Sequence, residues 1–155
     1  MWRAIDDERF RPAIVVIEYN SHMPPSEAKT VPFDSGRKWD GYSAFFGASL
    51  LAISRLACVR RYTLVHCDSH GVNAFYVANE ILFQSSEKGT ILPTDSQLRD
   101  LVDVHYRQPN FYNRGWSYPD PTATSATLRW EEVAPIAKGG EGAEGRYQLS
   151  EAAAA

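Results

Sequence analysis

Hydrophobic positions come in five blocks, and each block has a pattern that names an element. Ala13-Ile14-Val15-Val16-Ile17 is an unbroken β-branched run of strand length. With no polar alternation it predicts a strand covered on both faces. It stops at Glu18-Tyr19-Asn20, which puts polar residues at the carboxyl end of the strand, where open α/β sheets hold their ligands. Phe46, Leu50, Ile53 and Ala57 follow one helix face within a helix expected over 42–61. Tyr62–Cys67 and Asn73–Val77 read as two strands joined by Asp68-Ser69-His70-Gly71-Val72, with Gly71 free to take a positive φ. After residue 79 the chain should leave the sheet. A last helix is capped by Asp95 or Ser96 and carries Leu98, Leu101 and Val102 as its stripe.

The segments between and around these blocks are informative too. Residues 1–11 read as the end of an amphipathic helix, with Trp2 and Ile5 on one face. Residues 21–41, with Pro24, Pro25, Pro32, Gly36 and Gly41, form a long loop, either a binding loop or one packed over the sheet by Phe33 and Trp39. From 107 onward no period is sustained. Two regions follow: a domain over 1–106, and an aromatic, proline-containing tail over 107–155 whose end, from Gly139, has the composition of a disordered segment.

Composition narrows the class. The chain has 155 residues, enough for one domain, with 16 basic against 19 acidic residues. A net charge of −3 gives no general attraction to nucleic acid or an anionic membrane. No apolar stretch is long enough to span a bilayer. Cys58 and Cys67 form no CxxC pair, and buried free thiols of a reducing intracellular or organellar compartment are expected. Arg55, Arg60 and Arg61 sit where cations complement a helix end, and a solvated terminus is expected there rather than an anion site.

The local motifs add a resemblance. Val16-Ile17-Glu18-Tyr19-Asn20, Trp39-Asp40-Gly41, Phe46-Gly47-Ala48-Ser49 and Asn73-Ala74-Phe75, in this order and spacing, resemble the C-terminal half of FkbM-like class I S-adenosylmethionine-dependent methyltransferases, over about residues 10–82. The resemblance implies an α/β fold: the closing half of a doubly wound, Rossmann-like sheet, whose last strand inserts antiparallel beside the fifth. It also implies that cofactor binding belongs to an earlier Gly-rich turn. No Gly-x-Gly precedes Gly139, so no S-adenosylmethionine site is expected in this chain unless another half supplies it.

Candidate chemistry is sparse. Glu18, Asn20, Asp68, His70 and Asn73 should gather at one end of the sheet, either as acid/base groups for methyl transfer or as caps of strand ends and loop backbone. His66, Cys67, Asp68 and His70 lie close in sequence, but strand alternation turns Cys67 away from its neighbours, so metal is not expected. The apolar strand Ala13, Ile14, Val15, Val16, Ile17 is expected to need cover along a free edge, from another subunit or a second copy. Phe111, Tyr112, Trp116, Tyr118 and Trp130 are candidate anchors of the tail, against a partner or against the chain's own domain. The expected function is a non-catalytic interaction subunit on a truncated methyltransferase-like fold. The alternative is the C-terminal part of an FkbM-like O-methyltransferase.

Overall fold

The computed structural model describes residues 9–32, 38, 39, 41, 44–83, 92–108 and 130–136. Residues 1–8 of the expected N-terminal helix end, Phe33, the candidate anchors Phe111, Tyr112, Trp116 and Tyr118, and the Gly-rich end lie outside them, and residues 9–11 are not helical.

The architecture is mixed α/β. Three strands, β1 (Ile14–Glu18), β3 (Tyr62–Cys67) and β4 (Asn73–Ala78), form a sheet in the order β1-β4-β3. β4 is antiparallel to both neighbours, so β1 and β3 run in the same direction. The Asp68–Val72 link closes the expected hairpin, with Gly71 at φ +69°. A bulge between Leu64 and His66 shifts the β3 register, and Cys67 returns to the buried side while His66 stays exposed.

α1 (Leu50–Val59) and α3 (Asp95–His105), with the short α2 (Asn79–Leu82) between them in the chain, frame the sheet, and α1 and α3 pack against each other and against β3. The core beneath them contains Leu50, Leu51, Leu64, Tyr76 and Val102, all nearly inaccessible. Val15 and Ile17 of β1 join this core from its side. The other side of β1 differs from expectation. Ile14 is 58% exposed and Val16 53% exposed, so the apolar run has one covered face rather than two. Cys58 and Cys67 are buried free thiols, as their sequence context implies. Burial pushes both up to about 11.

Three helix details correct the sequence reading. α1 starts at Leu50, not near 42, because the backbone of residues 46–48 is engaged by neighbouring segments rather than by a helix. Val31 N–H donates to Gly47 C=O (2.9 Å), Thr30 bridges Ala48, and Gly47 sits at φ +59°. Ser49 then caps α1, its hydroxyl accepting from the N–H of Ala52 (3.2 Å) and of Lys29 (3.0 Å). The cap of α3 is Thr94, one residue before the expected pair, and Gln97 completes a capping box with it. Arg55 is not part of a solvated terminus. It is 2% exposed, with Nε and Nη2 on the two carboxylate oxygens of Asp95 (2.8 and 2.9 Å) and Nη1 on Val133 C=O.

The loop and the tail meet. β2 (Lys29–Thr30) pairs antiparallel with β5 (Glu131–Glu132), and Val133 N–H donates to Ala28 C=O (2.7 Å). Trp130 packs its ring on Phe45 at 4.5 Å. This part of the tail therefore lies on the chain's own loop. Among the described residues, no helix is long and apolar enough to cross a membrane.

Candidate functional site at the carboxyl end of the sheet

β1 and β3 end together because they share a direction and flank β4. Glu18, the last residue of β1, is the register partner of Asn73, the first of β4. Asp68 follows β3 directly, and its N–H donates to Asn73 C=O (3.0 Å). Its carboxylate accepts the backbone N–H groups of His70 (2.8 Å), Val72 (3.4 Å) and Asn73 (2.5 Å). His70 is the exposed tip of this turn, with Nδ1 4.0 Å from Asp68 Oδ1. Glu18, Asp68, His70 and Asn73 are thus brought to one end of the sheet.

Asn20 parts from the other four. It is 1% exposed, and its Nδ2 donates to Ala44 C=O (2.7 Å) and Phe46 C=O (2.9 Å), while Oδ1 accepts His22 N–H (3.0 Å). Its amide nitrogen holds the 44–46 loop against the end of β1, and its amide oxygen holds the turn that follows. Asp68 is committed in the same way, to the backbone of its own turn. Glu18 and His70 are exposed.

The electrostatics of Asp68 follow from this geometry. Burial alone would raise its carboxyl, but the N–H groups of Asn73, His70 and Val72 outweigh that and hold it below the ordinary carboxylate range. A depressed folded-state pKa means that the charged form stabilises the fold at neutral pH. That contribution fades as pH falls from the unfolded value, about 3.9, through the folded one. Asp68→Asn is therefore expected to cost about 1–2 kcal/mol at pH 7, and the gap to wild type should shrink as pH falls to about 3. Urea unfolding at several pH values checks this, and a gap independent of pH would count against it.

Residues outside the candidate set complete this end of the molecule. Tyr19 O–H donates to Arg107 C=O (2.9 Å), and Tyr106 O–H donates to Ser21 C=O (2.6 Å). Together they dock the exit of α3 onto the three residues after β1. Burial is the main reason that the Tyr19 phenol is raised well above its ordinary pKa. His22 meets the Phe46 ring edge-on at 6.0 Å, and Trp39 lies 5.1 Å from the same ring. Burial pushes the His22 imidazole below its usual pKa, favouring the neutral form. The available signal was position alone: His22 lies two residues beyond Asn20, on the polar stretch that ends the apolar run.

The arrangement offers exposed acid/base groups, Glu18 and His70, beside a rigidly bonded turn. Among the described residues, no group of three or more His, Cys, Asp or Glu is placed to hold a metal ion. His66 and Cys67 point to opposite sides of the sheet. Compared with protein-family models, curated proteins and solved structures, the chain matches none.

Proposed function

We propose that this chain is a non-catalytic interaction subunit built on the closing half of a methyltransferase-like sheet. The observation that carries the reading is the state of β1. It lies at the margin of the sheet, pairs only with β4 among the described residues, and exposes Ile14 and Val16. An apolar strand with a free edge is a template for another polypeptide, and natural proteins cover such edges. The order β1-β4-β3, with β4 antiparallel between two like-directed strands, supports the resemblance to the end of a class I methyltransferase sheet.

The candidate residues also fit a scaffold better than a catalyst. Asp68 and Asn20 hold backbone, which is the work of strand-end caps. Calorimetric titration of the 155-residue chain with S-adenosylmethionine is expected to show no binding. Micromolar affinity would overturn the reading.

A second reading has its own support. Glu18, Asp68, His70 and Asn73 share the end of the sheet where open α/β folds act on their ligands. On that reading the residues belong to an FkbM-like O-methyltransferase whose cofactor half is supplied outside this sequence. The intact mass of the native polypeptide separates the two. A species of 17.4 kDa fits the subunit, whereas a longer polypeptide that binds S-adenosylmethionine fits the enzyme.

A further inference from the structure

Among the described residues nothing pairs with the outer edge of β1, and that edge is short and closed at both ends, limits that describe its partner. Ala78 N–H donates to Ala13 C=O (3.0 Å) and Tyr19 N–H donates to Val72 C=O (2.9 Å). Backbone groups of the odd-numbered residues therefore face β4, and those of Ile14, Val16 and Glu18 face outward. Beyond Glu18 the outer edge is occupied, since Asn20 N–H donates to Ala48 C=O (2.8 Å). Before Ile14 the chain bends at Ala13, and Pro12 has no N–H to offer. What remains is an edge of five residues, three of them presenting backbone donors and acceptors.

We infer that this edge is completed by β1 of a second copy, running antiparallel about a two-fold axis at Val16. The inference rests on the interaction-subunit reading and names its partner. In this register Ile14 faces Glu18 of the other copy and Val16 faces Val16. Every outward N–H and C=O of both strands is then bonded. The ladder stops where it must, because the residue opposite Asn20 is Pro12, and neither has a free donor for the other. The partner strand has to be as short as this edge and bent before it begins, and β1 meets both conditions.

Charge selects the same orientation. Glu18 is exposed at the end of the strand, and Arg9 is exposed just before its start. Antiparallel pairing places each Glu18 toward the basic start of the other strand and keeps the two carboxylates apart. Parallel pairing would set them side by side, an unfavourable arrangement. The axis also brings the exposed Ile14 and Val16 of both copies onto one continuous apolar face, removing it in part from water.

A single cysteine on the axis tests the register. Opposed residues of a hydrogen-bonded antiparallel pair have Cα atoms about 5.5 Å apart, within the span of a disulfide. Ile14 and its symmetry mate would lie about 13 Å apart, four residues along the ladder. Under mild oxidation of the full chain, Val16→Cys is expected to convert to a dimer of doubled mass, and Ile14→Cys to remain monomeric. Cys58 and Cys67 are buried and do not compete. In light scattering the wild-type mass should rise with concentration. Val16→Lys, a change at an exposed position that sets two like charges face to face, should abolish that rise while leaving the circular dichroism unchanged.

Equal crosslinking at positions 14 and 16 would mean random collision and overturn the inference. A wild type that stays monomeric up to high concentration, or a Val16→Lys protein that still dimerises, would do the same. Failure here is distinct from failure of the reading beneath it. A monomer that binds no S-adenosylmethionine removes the second copy and keeps the scaffold, whereas a dimer that binds the cofactor does the reverse.

Discussion

Replacing Arg55 with alanine is expected to cost this fold about 3–5 kcal/mol, the usual loss when one partner of a buried ion pair is removed. The guanidinium is 2% exposed and makes two bonds to Asp95 and one to the carbonyl of Val133. Asp95 is also shared with Arg99 (2.9 Å), whose Nη1 donates to Ser26 C=O (3.0 Å). Arg55 thus ties α1 to α3 and to the strip that follows β5, and Arg99 extends the network to the loop after β1. Burial works against the Asp95 carboxylate, yet the two arginines outweigh it and hold its pKa below the ordinary range.

Without Arg55, the carbonyl of Val133 loses a donor and Asp95 keeps only the half-exposed Arg99. Stability of a domain this size is about 5–15 kcal/mol, so the loss is a large share of the whole. Arg55→Lys should recover little, because an ammonium cannot serve the two carboxylate oxygens and the carbonyl in one plane. Urea unfolding measures the cost, and hydrogen exchange at Glu132 and Val133 should rise by more than the global change explains. A loss under about 1 kcal/mol would mean that the network is only decorative.

The Arg55 network also shows where sequence reading stops. β1, the hairpin and α3 were legible because each is encoded locally: a β-branched run, turn residues around Gly71, an apolar stripe from Leu98 to Val102. The partners of Arg55 are 40 and 78 positions away, and nothing nearby marks a cationic side chain for burial. Residues 44–48 carry Phe46 in helical phase with Leu50, yet tertiary bonds from Asn20 and Val31 hold that stretch out of the helix. Periodicity is a weak guide where a competing strand edge is available to satisfy the backbone. β2 and β5 are two residues each, too short to leave any period.

The candidate site divides along the same line. That Glu18, Asp68, His70 and Asn73 share an end follows from strand order and could be read from local pattern. That Asn20 turns inward, and that Asp68 caps its own turn, depends on where the neighbouring backbone comes to lie. The exposure of Ile14 and Val16 is the corresponding lesson for β1. A run of apolar residues reports that both faces are suited to burial, and not that this chain covers both.

Gly71→Ala should be nearly as costly as loss of Arg55, for a reason that comes from two sides. Gly71 adopts φ +69°, a conformation that a residue with a Cβ reaches only at a cost of about 1–2 kcal/mol. The added methyl would also stand 2.6 Å from Arg107 O and 2.8 Å from Gln108 O, both backbone atoms that cannot swing away. To relieve that contact the exit of α3 must withdraw, which strains the bonds from Tyr19 and Tyr106 that dock it. The expected total is about 3 kcal/mol, with overpacking adding to backbone strain. Gly47 isolates the first term, since its φ is +59° but a Cβ there would meet nothing within 4 Å. Gly47→Ala should therefore cost about 1 kcal/mol by the same urea titration. Near-equal losses for the two alanine variants would show that the close approach of the hairpin tip to residues 107 and 108 contributes nothing, and that φ alone decides.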